Sequence, residues 1–339
     1  MIEKYDVAIV GATGAVGEML TEVLEQRQFP VGKLYLLASE ASVGKRYQFN
    51  KASVAVKDLA SFDFTQVQIA FFSAGSEISA EYAPQAAEAG CKVIDNTSQF
   101  RYDEDKALVV PEVNPHALHE YSSNIIANPN CSTIQMLVAL KPLYDAVGID
   151  RINVCTYQAV SGTGKSAIEE LAAQTAQLLN MQKIETKVYP KQIAFNVLPQ
   201  IDVFTENGYT KEEMKMVWET QKILSDSSVQ VNPTAVRVPV FYGHSEAIHV
   251  ETREKISASY ARELLSVAPG VQLIDDDVDG AYPTPVTDGS GQDDVFVGRV
   301  REDISHEKGL NLWVVGDNVR KGAATNSVQI AELLIANND

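Results

Sequence analysis

The sequence predicts an α/β protein of two domains. The first is built on a parallel, doubly wound sheet, and the second is an α+β domain with a mostly antiparallel or mixed sheet. Three observations carry this reading. Short apolar runs alternate with helix-spaced segments through about residue 130, the pattern that a parallel sheet with crossover helices requires. Farther on, helices and strands follow one another without that alternation. At 339 residues, 45% hydrophobic and 22% charged, the chain is long enough for two cores. The expected division is 1–128 plus 319–339 against 129–318.

The apolar run VAIV (7–10) ends in GATGAVG and is followed by EMLTEVLEQRQF, where Met19, Leu20, Val23 and Leu24 keep helical spacing. That is strand, glycine loop, helix. Strands follow at KLYLLAS (33–39), VQIAFFSAG (67–75) and CKVIDNTS (91–98), with SEISAEYAPQAAEAG as a helix between the last two. The run SNIIANPN (123–130) leads as a strand into a helix that opens at Cys131 and reaches about Val147. Next come strand RINVCTYQAVSG, helix KSAIEELAAQTAQLL, helix KEEMKMVWETQKIL, and strands near 234–251, 271–274, 295–302 and 310–315. The closing segment 321–337 spaces Val328, Ile330, Leu333 and Leu334 as an amphipathic helix, which is expected to pack back on the first domain.

Charge narrows the partners. With 28 basic and 45 acidic side chains the net charge is −17, which repels nucleic-acid phosphates and anionic lipid, so neither is expected as a partner. An anionic small molecule needs a local basic pocket instead. The N-terminus carries only a short apolar run and no segment reaches 18 apolar residues, so a cytoplasmic location is expected. Three cysteines without C-x-x-C spacing disfavour a disulfide framework and a structural metal site.

The loop Gly11, Gly14, Gly17 has G-x-x-G-x-x-G spacing between strand and helix. Glycines let the backbone approach a pyrophosphate, and the helix that follows offers free N–H groups and its positive dipole end, so the loop points to a Rossmann-like dinucleotide-binding domain. The second strand ends at Ser39, with Ser42, Lys45 and Arg46 close by. Those hydroxyls and cations suit a 2′-phosphate and hence NADP, while Glu40 beside them leaves NAD open.

Cys131 stands apart from the other two thiols. It follows NPN and precedes Ser132 and Thr133 at a helix N-terminus, where the dipole favours thiolate and makes a nucleophile. Cys155, inside a strand, and Cys91, at the start of one, read as packing residues. A thiolate sharing a site with nicotinamide suggests acyl transfer coupled to hydride transfer, which needs a proton carrier and oxyanion donors. Among five histidines, His244 follows an apolar strand in a Gly-His-Ser turn, although spacing alone does not select it.

Taken together, VGATGAVG, NPNCSTIQ, TYQAVSGTGK, EEMK before ETQKIL, RVPVFYGHSEA and GDNVRKGAATNSVQIAELL resemble the aspartate-β-semialdehyde dehydrogenase family over nearly the whole chain. The resemblance implies NADPH-dependent reductive dephosphorylation of L-4-aspartyl phosphate to L-aspartate 4-semialdehyde and phosphate, early in lysine, threonine, methionine and diaminopimelate biosynthesis. It also implies a homodimer or homotetramer. Carried over by motif, Cys131 is the nucleophile, His244 the general acid/base, and Gln158 orients the intermediates. Arg237 matches the clamp on the substrate carboxylate, a task suited to a planar two-toothed donor. Arg101, Asn130 and Lys215 match the phosphate pocket. Thr210 and Glu213 read as a capping box, which leaves Glu212 to meet the substrate ammonium. For the cofactor, Gly11, Thr13, Gly14, Ala15 and Val16 carry over to the pyrophosphate loop, Ser39 and Ser42 to the adenosine end, Ser161 and Gly162 to the nicotinamide side, and Asn318 to the closing segment. Two other readings stand beside this one: N-acetyl-γ-glutamyl-phosphate reductase, which shares the chemistry but has no free ammonium to bind, and a dinucleotide-binding redox sensor.

Overall fold

A computed structural model describes residues 3–336. Its elements are β1 (Tyr5–Val10), α1 (Ala15–Gln26), β2 (Val31–Ala38), β3 (Arg46–Phe49), β4 (Ala52–Asp58), β5 (Ile69–Phe72), α2 (Ser76–Glu88), β6 (Lys92–Asp95), β7 (Ala107–Leu108), α3 (Ala117–Glu120) and β8 (Ile125–Ala127). They continue with α4 (Cys131–Val147), β9 (Ile149–Gln158), α5 (Lys165–Leu179), α6 (Lys211–Leu224), β10 (Gln230–Arg237), β11 (His244–Thr252), α7 (Ala258–Ser266), β12 (Val271–Leu273), β13 (Val295–Glu302), β14 (Gly309–Gly316) and α8 (Thr325–Ala336). The chain divides into two compact units, Met1–Asn130 with Ala323–Asp339, and Cys131–Gly322.

The first unit holds an eight-stranded sheet in the order β3-β4-β2-β1-β5-β6-β8-β7, parallel except for the β3–β4 pair. Val7 and Ile9 join one apolar cluster while Ala8 and Val10 join the other, so β1 is buried on both faces. Leu20, Val23 and Leu24 of α1 and Val328, Ile330 and Ala331 of α8 cover the first face; Ala83 and Ala86 of α2 cover the second. Each fully buried large aliphatic side chain contributes about 1.5–3 kcal/mol, so both layers are needed to hold the sheet. The closing segment thus packs within this unit, and Arg27, the C-cap of α1, grips Glu332 of α8 through Nε and Nη2 at 2.8 and 2.7 Å.

The second unit holds a mixed six-stranded sheet, β10-β9-β11-β14-β13-β12. The pairs β9–β10 and β12–β13 are parallel; the others are antiparallel. Helix α4 lies on one face, and the inward positions of β11 there are His244, Glu246, Ile248 and Val250, all buried. Those of β9 are Ile152, Val154, Thr156 and Gln158. Two polar residues at the end of each inward row mark where packing gives way to chemistry.

Some local expectations need correction. The strands expected near 234–251 are β10 and β11, and His244, expected in the Gly-His-Ser turn between them, is instead the first residue of β11, the turn ending at Gly243. The strand expected through Gly162 stops at Gln158, because residues 160–163 form a 3-10 turn. The helix expected from 321 begins instead with a π turn over Arg320–Ala324, and its expected end at 337 lies outside the described residues. The β3–β4 hairpin and α7 were not anticipated.

Candidate active site

Cys131 is the first residue of α4, half-buried, where the positive end of the helix dipole favours a negative sulfur. A Cβ added to Gly322 would lie 2.6 Å from the Cys131 Cβ, so only glycine lets the returning chain pass this close. The thiol of Cys91 differs. Cys91 is fully buried with its Sγ against the carbonyls of Phe64 and Val67, and burial pushes it up to about 11.

Next to Cys131, the Ser132 hydroxyl accepts from Gln158 Nε2 at 3.2 Å. The same amide nitrogen reaches Thr156 Oγ1 at 3.3 Å and Glu212 Oε1 at 3.2 Å, and Gln158 Oε1 accepts from Arg237 at 3.4 Å. Arg237 stands opposite Gln158 in the β9–β10 register. Its guanidinium also donates to the Ala159 carbonyl at 2.8 Å, while Nε is buried without a hydrogen-bond partner. Glu212 pairs with Lys215 at 2.8 Å, and Lys215 reaches Asp202 at 3.1 Å. Thr210 and Glu213 close the capping box, with Glu213 receiving the Thr210 amide at 2.7 Å and the Ala235 amide at 2.9 Å. Glu213 is therefore occupied by the backbone, and Glu212 by the side-chain cluster.

His244 is fully buried and its Nδ1 accepts from the Ala159 amide at 3.0 Å. An accepting Nδ1 leaves the ring proton on Nε2, which is buried without a hydrogen-bond partner. Burial first, and then the Arg237 charge, lower its pKa to about 3, with Glu212 pulling the other way. The ring is a neutral donor. A Cβ on Gly162 would come within 3.1 Å of Arg237 Nη1 and 3.5 Å of His244 Nε2, so glycine there keeps space open beside both. Ser161 and Asn318 exchange hydrogen bonds at 3.1 and 2.9 Å, and Asn318 also receives the Gly243 amide at 3.0 Å, fixing the turn before His244.

The expected cofactor loop and phosphate residues Arg101 and Asn130 belong to the first unit. Gly11 adopts φ +86°, and a Cβ there would meet the Ala74 backbone at 2.9 Å; a Cβ on Gly17 would lie 2.2 Å from the Gly11 carbonyl. A cavity of about 590 Å³ lies against this loop, lined in part by Gly11, Thr13, Gly14, Ser39, Glu40 and Asp58. Ala15 and Val16 form the first turn of α1, and Ser42 is buried with Lys45 Nζ 3.4 Å from its hydroxyl. A bare glycine cradle at a helix N-terminus fits a pyrophosphate. Arg101 is buried and donates to the Asn96 carbonyl at 2.9 Å; Asn130 is buried immediately before Cys131.

Sequence reasoning missed Asp58, at the C-terminal end of β4 in the cavity lining, and Glu246. The second had a signal: in HSEAIHV the acid falls on the same strand face as His244, Ile248 and Val250. Among the described residues, no group of three or more His, Cys, Asp or Glu is placed to hold a metal ion.

Residues 6–121 match the model of the semialdehyde dehydrogenase NAD-binding domain, and residues 140–321 that of the semialdehyde dehydrogenase dimerisation domain. Aspartate-semialdehyde dehydrogenase 2 of Vibrio cholerae is 65% identical over 99% of both chains. The crystal structure of aspartate semialdehyde dehydrogenase II of Vibrio cholerae complexed with ASA superposes with a TM-score of 0.97 at 64% identity, covering 98% of this chain and 99% of that one. The Candida albicans enzyme with NADP has a TM-score of 0.77 at 25% identity, covering 99% of each chain.

Proposed function

The chain belongs to the aspartate-semialdehyde dehydrogenase family, and from that premise we propose that it reduces L-4-aspartyl phosphate to L-aspartate 4-semialdehyde and phosphate, reversibly, through a thioester on Cys131. The observation that carries the reading is the cluster Gln158, Glu212, Arg237 and His244, joined by hydrogen bonds directly or through the Ala159 backbone, with Ser132, the residue after the nucleophile, bonded to Gln158. NADPH supplies the hydride, and the Gly11–Gly17 loop would hold its pyrophosphate.

The Cys131 sulfur attacks the acyl carbon and phosphate leaves. Arg101, Asn130 and Lys215 are assigned to that phosphate by motif. Arg237 offers a planar donor to the substrate carboxylate, and Glu212 a carboxylate to its ammonium. Gln158 orients the acyl oxygen. As the thioester is reduced, the Nε2–H of His244 gives its proton to the developing oxyanion to form the thiohemiacetal hydroxyl, and that hydroxyl returns the proton to Nε2 as the C–S bond breaks and the Cys131 thiolate leaves. A free-ammonium partner at Glu212 favours aspartyl phosphate over an N-acetylated substrate. The enzyme works as a homodimer or homotetramer in the cytoplasm; no helix among the described residues is long and apolar enough to cross a membrane.

The test is oxidation of the semialdehyde with NADP, with and without inorganic phosphate. NADPH should accumulate only when phosphate is present, because phosphate must release the thioester. Sustained turnover without phosphate would falsify the acyl-phosphate assignment.

A further inference from the structure

The cavity beside the glycine loop is acidic at one end. Strands β1, β2 and β4 lie side by side and parallel, so their C-terminal ends meet there. The amides of Gly11 and Ala12 donate to the Leu37 carbonyl at 2.9 and 3.1 Å, and the Leu59 amide donates to the Ala38 carbonyl at 2.9 Å, which ties the strand tips to the loop. Asp58 stands opposite Ala38 in the β2–β4 register, and Glu40 opens the 3-10 turn Glu40–Ser42 just beyond Ser39. Both carboxylates line the cavity, Asp58 half-exposed and Glu40 exposed.

No lysine or arginine among the described residues lines this cavity. The cations that flank the two acids in sequence are engaged elsewhere. Lys45 Nζ donates to the Ser42 hydroxyl at 3.4 Å, Arg46 donates to the Ser53 hydroxyl and carbonyl at 2.8 and 2.9 Å, and Lys57 Nζ lies 4.9 Å from the centre of the Tyr35 ring. The hydroxyl and cation expected from the sequence to meet a 2′-phosphate therefore meet each other, and the groups left facing the cavity are negative.

A ribose 2′-hydroxyl carries a proton and no charge, so a carboxylate accepts it in a charge-assisted hydrogen bond. A 2′-phosphate carries close to two negative charges at neutral pH and is repelled by both acids. Parallel-sheet dinucleotide sites use an acid near the end of the second strand for the hydroxyl and an arginine for the phosphate. We propose that Glu40 and Asp58 are specificity-determining residues that receive the adenosine ribose 2′-hydroxyl, so that the chain binds NAD at least as tightly as NADP and turns over with either. This rests on the reading of the Gly11–Gly17 loop as the pyrophosphate cradle given above.

The experiment titrates the full chain calorimetrically with ADP-ribose and with 2′-phospho-ADP-ribose, which carry the adenosine end without nicotinamide. The proteins are wild type, Glu40→Gln, the double variant Glu40→Gln with Asp58→Asn, and Ala41→Arg, and kcat/KM for NAD and for NADP in semialdehyde oxidation is measured on the same samples. Wild type should bind ADP-ribose as tightly as its phosphate or more tightly. The double variant should move the ratio of the two Kd values about tenfold or more toward the phosphate, the worth of one hydrogen bond to a charged group. Ala41→Arg, which sets a guanidinium in the turn beside Glu40, should move the ratio the same way while leaving Kd for ADP-ribose within about threefold. The kcat/KM ratios should follow the Kd ratios. A double variant whose ratio does not move toward the phosphate overturns the proposal; should that variant fail to fold, an unmoved ratio in both Glu40→Gln and Ala41→Arg overturns it. A wild type that binds neither fragment overturns the cofactor reading and this inference together, whereas a wild type that binds both and prefers the phosphate overturns this inference alone.

Discussion

At His244 a single backbone amide decides the chemistry. Because Ala159 N–H occupies Nδ1, the proton sits on Nε2, and a pKa near 3 keeps the ring neutral through the physiological range. His244→Asn should lower kcat by about 10²–10⁴-fold, the usual worth of a positioned acid/base, while leaving KM nearly unchanged. The same shift has a stability consequence. The folded-state pKa lies below the unfolded value near 6.5, so the unfolded chain binds the proton first, and stability is lost as pH falls from about 6.5 toward 3. Urea unfolding at pH 5 and pH 7.5 should show His244→Asn gaining on wild type by about 2 kcal/mol at the lower pH. Glu246 has the opposite sign. Its folded-state pKa is raised, so its contribution is full below about 4.5 and is lost as pH rises, and Glu246→Gln should gain on wild type from pH 5 to pH 7.5. Cys131→Ala should abolish turnover with unchanged circular dichroism and Tm, since the half-exposed thiol fills no core.

Helix α6 shows how an element separates two adjacent acids. Glu213 satisfies the amides of Thr210 and Ala235, and Glu212, one residue earlier, turns to Gln158 and Lys215. Glu213→Ala should therefore lower stability by about 2–3 kcal/mol, two buried amides being left bare, whereas Glu212→Gln should raise KM for the semialdehyde at little cost in Tm. Melting curves beside steady-state kinetics separate the two, and a Glu213→Ala variant with wild-type Tm contradicts the cap's role. The capping box was legible because it is local chemistry at fixed spacing. The β3–β4 hairpin was not, because its turn residues Asn50 and Lys51 take φ of 48° and 64° without a glycine to announce it. Helix α7 escaped for another reason: only Ala261 and Leu265 are buried, too narrow a stripe to stand out in nine residues. The π turn before α8 lies in a stretch buried on every side, where no polar face reports the period.

Across the whole molecule, legibility follows the range of the interaction. The motifs named Cys131, Gln158, Glu212, Lys215, Arg237 and His244, and within the second unit hydrogen bonds, some through the Ala159 backbone, link the last five to one another and to Ser132, the neighbour of Cys131. Glu246 reads as a solvated strand acid until the sheet and α4 close over it. Net charge is the longest-ranged property and needs no fold to be read. At −17 the chain repels itself, and salt shortens that repulsion to about 10 Å at 0.1 M. Contacts such as Arg237 with Ala159 and Gln158 are buried and are screened far less. Raising potassium chloride from 10 to 200 mM should accordingly raise Tm. It should also raise kcat/KM for phosphate, because the long-range field opposing an incoming anion weakens more than the buried donors that receive it. A fall in kcat/KM over that range, with Tm rising, would mean that phosphate is held by exposed cations rather than a buried pocket.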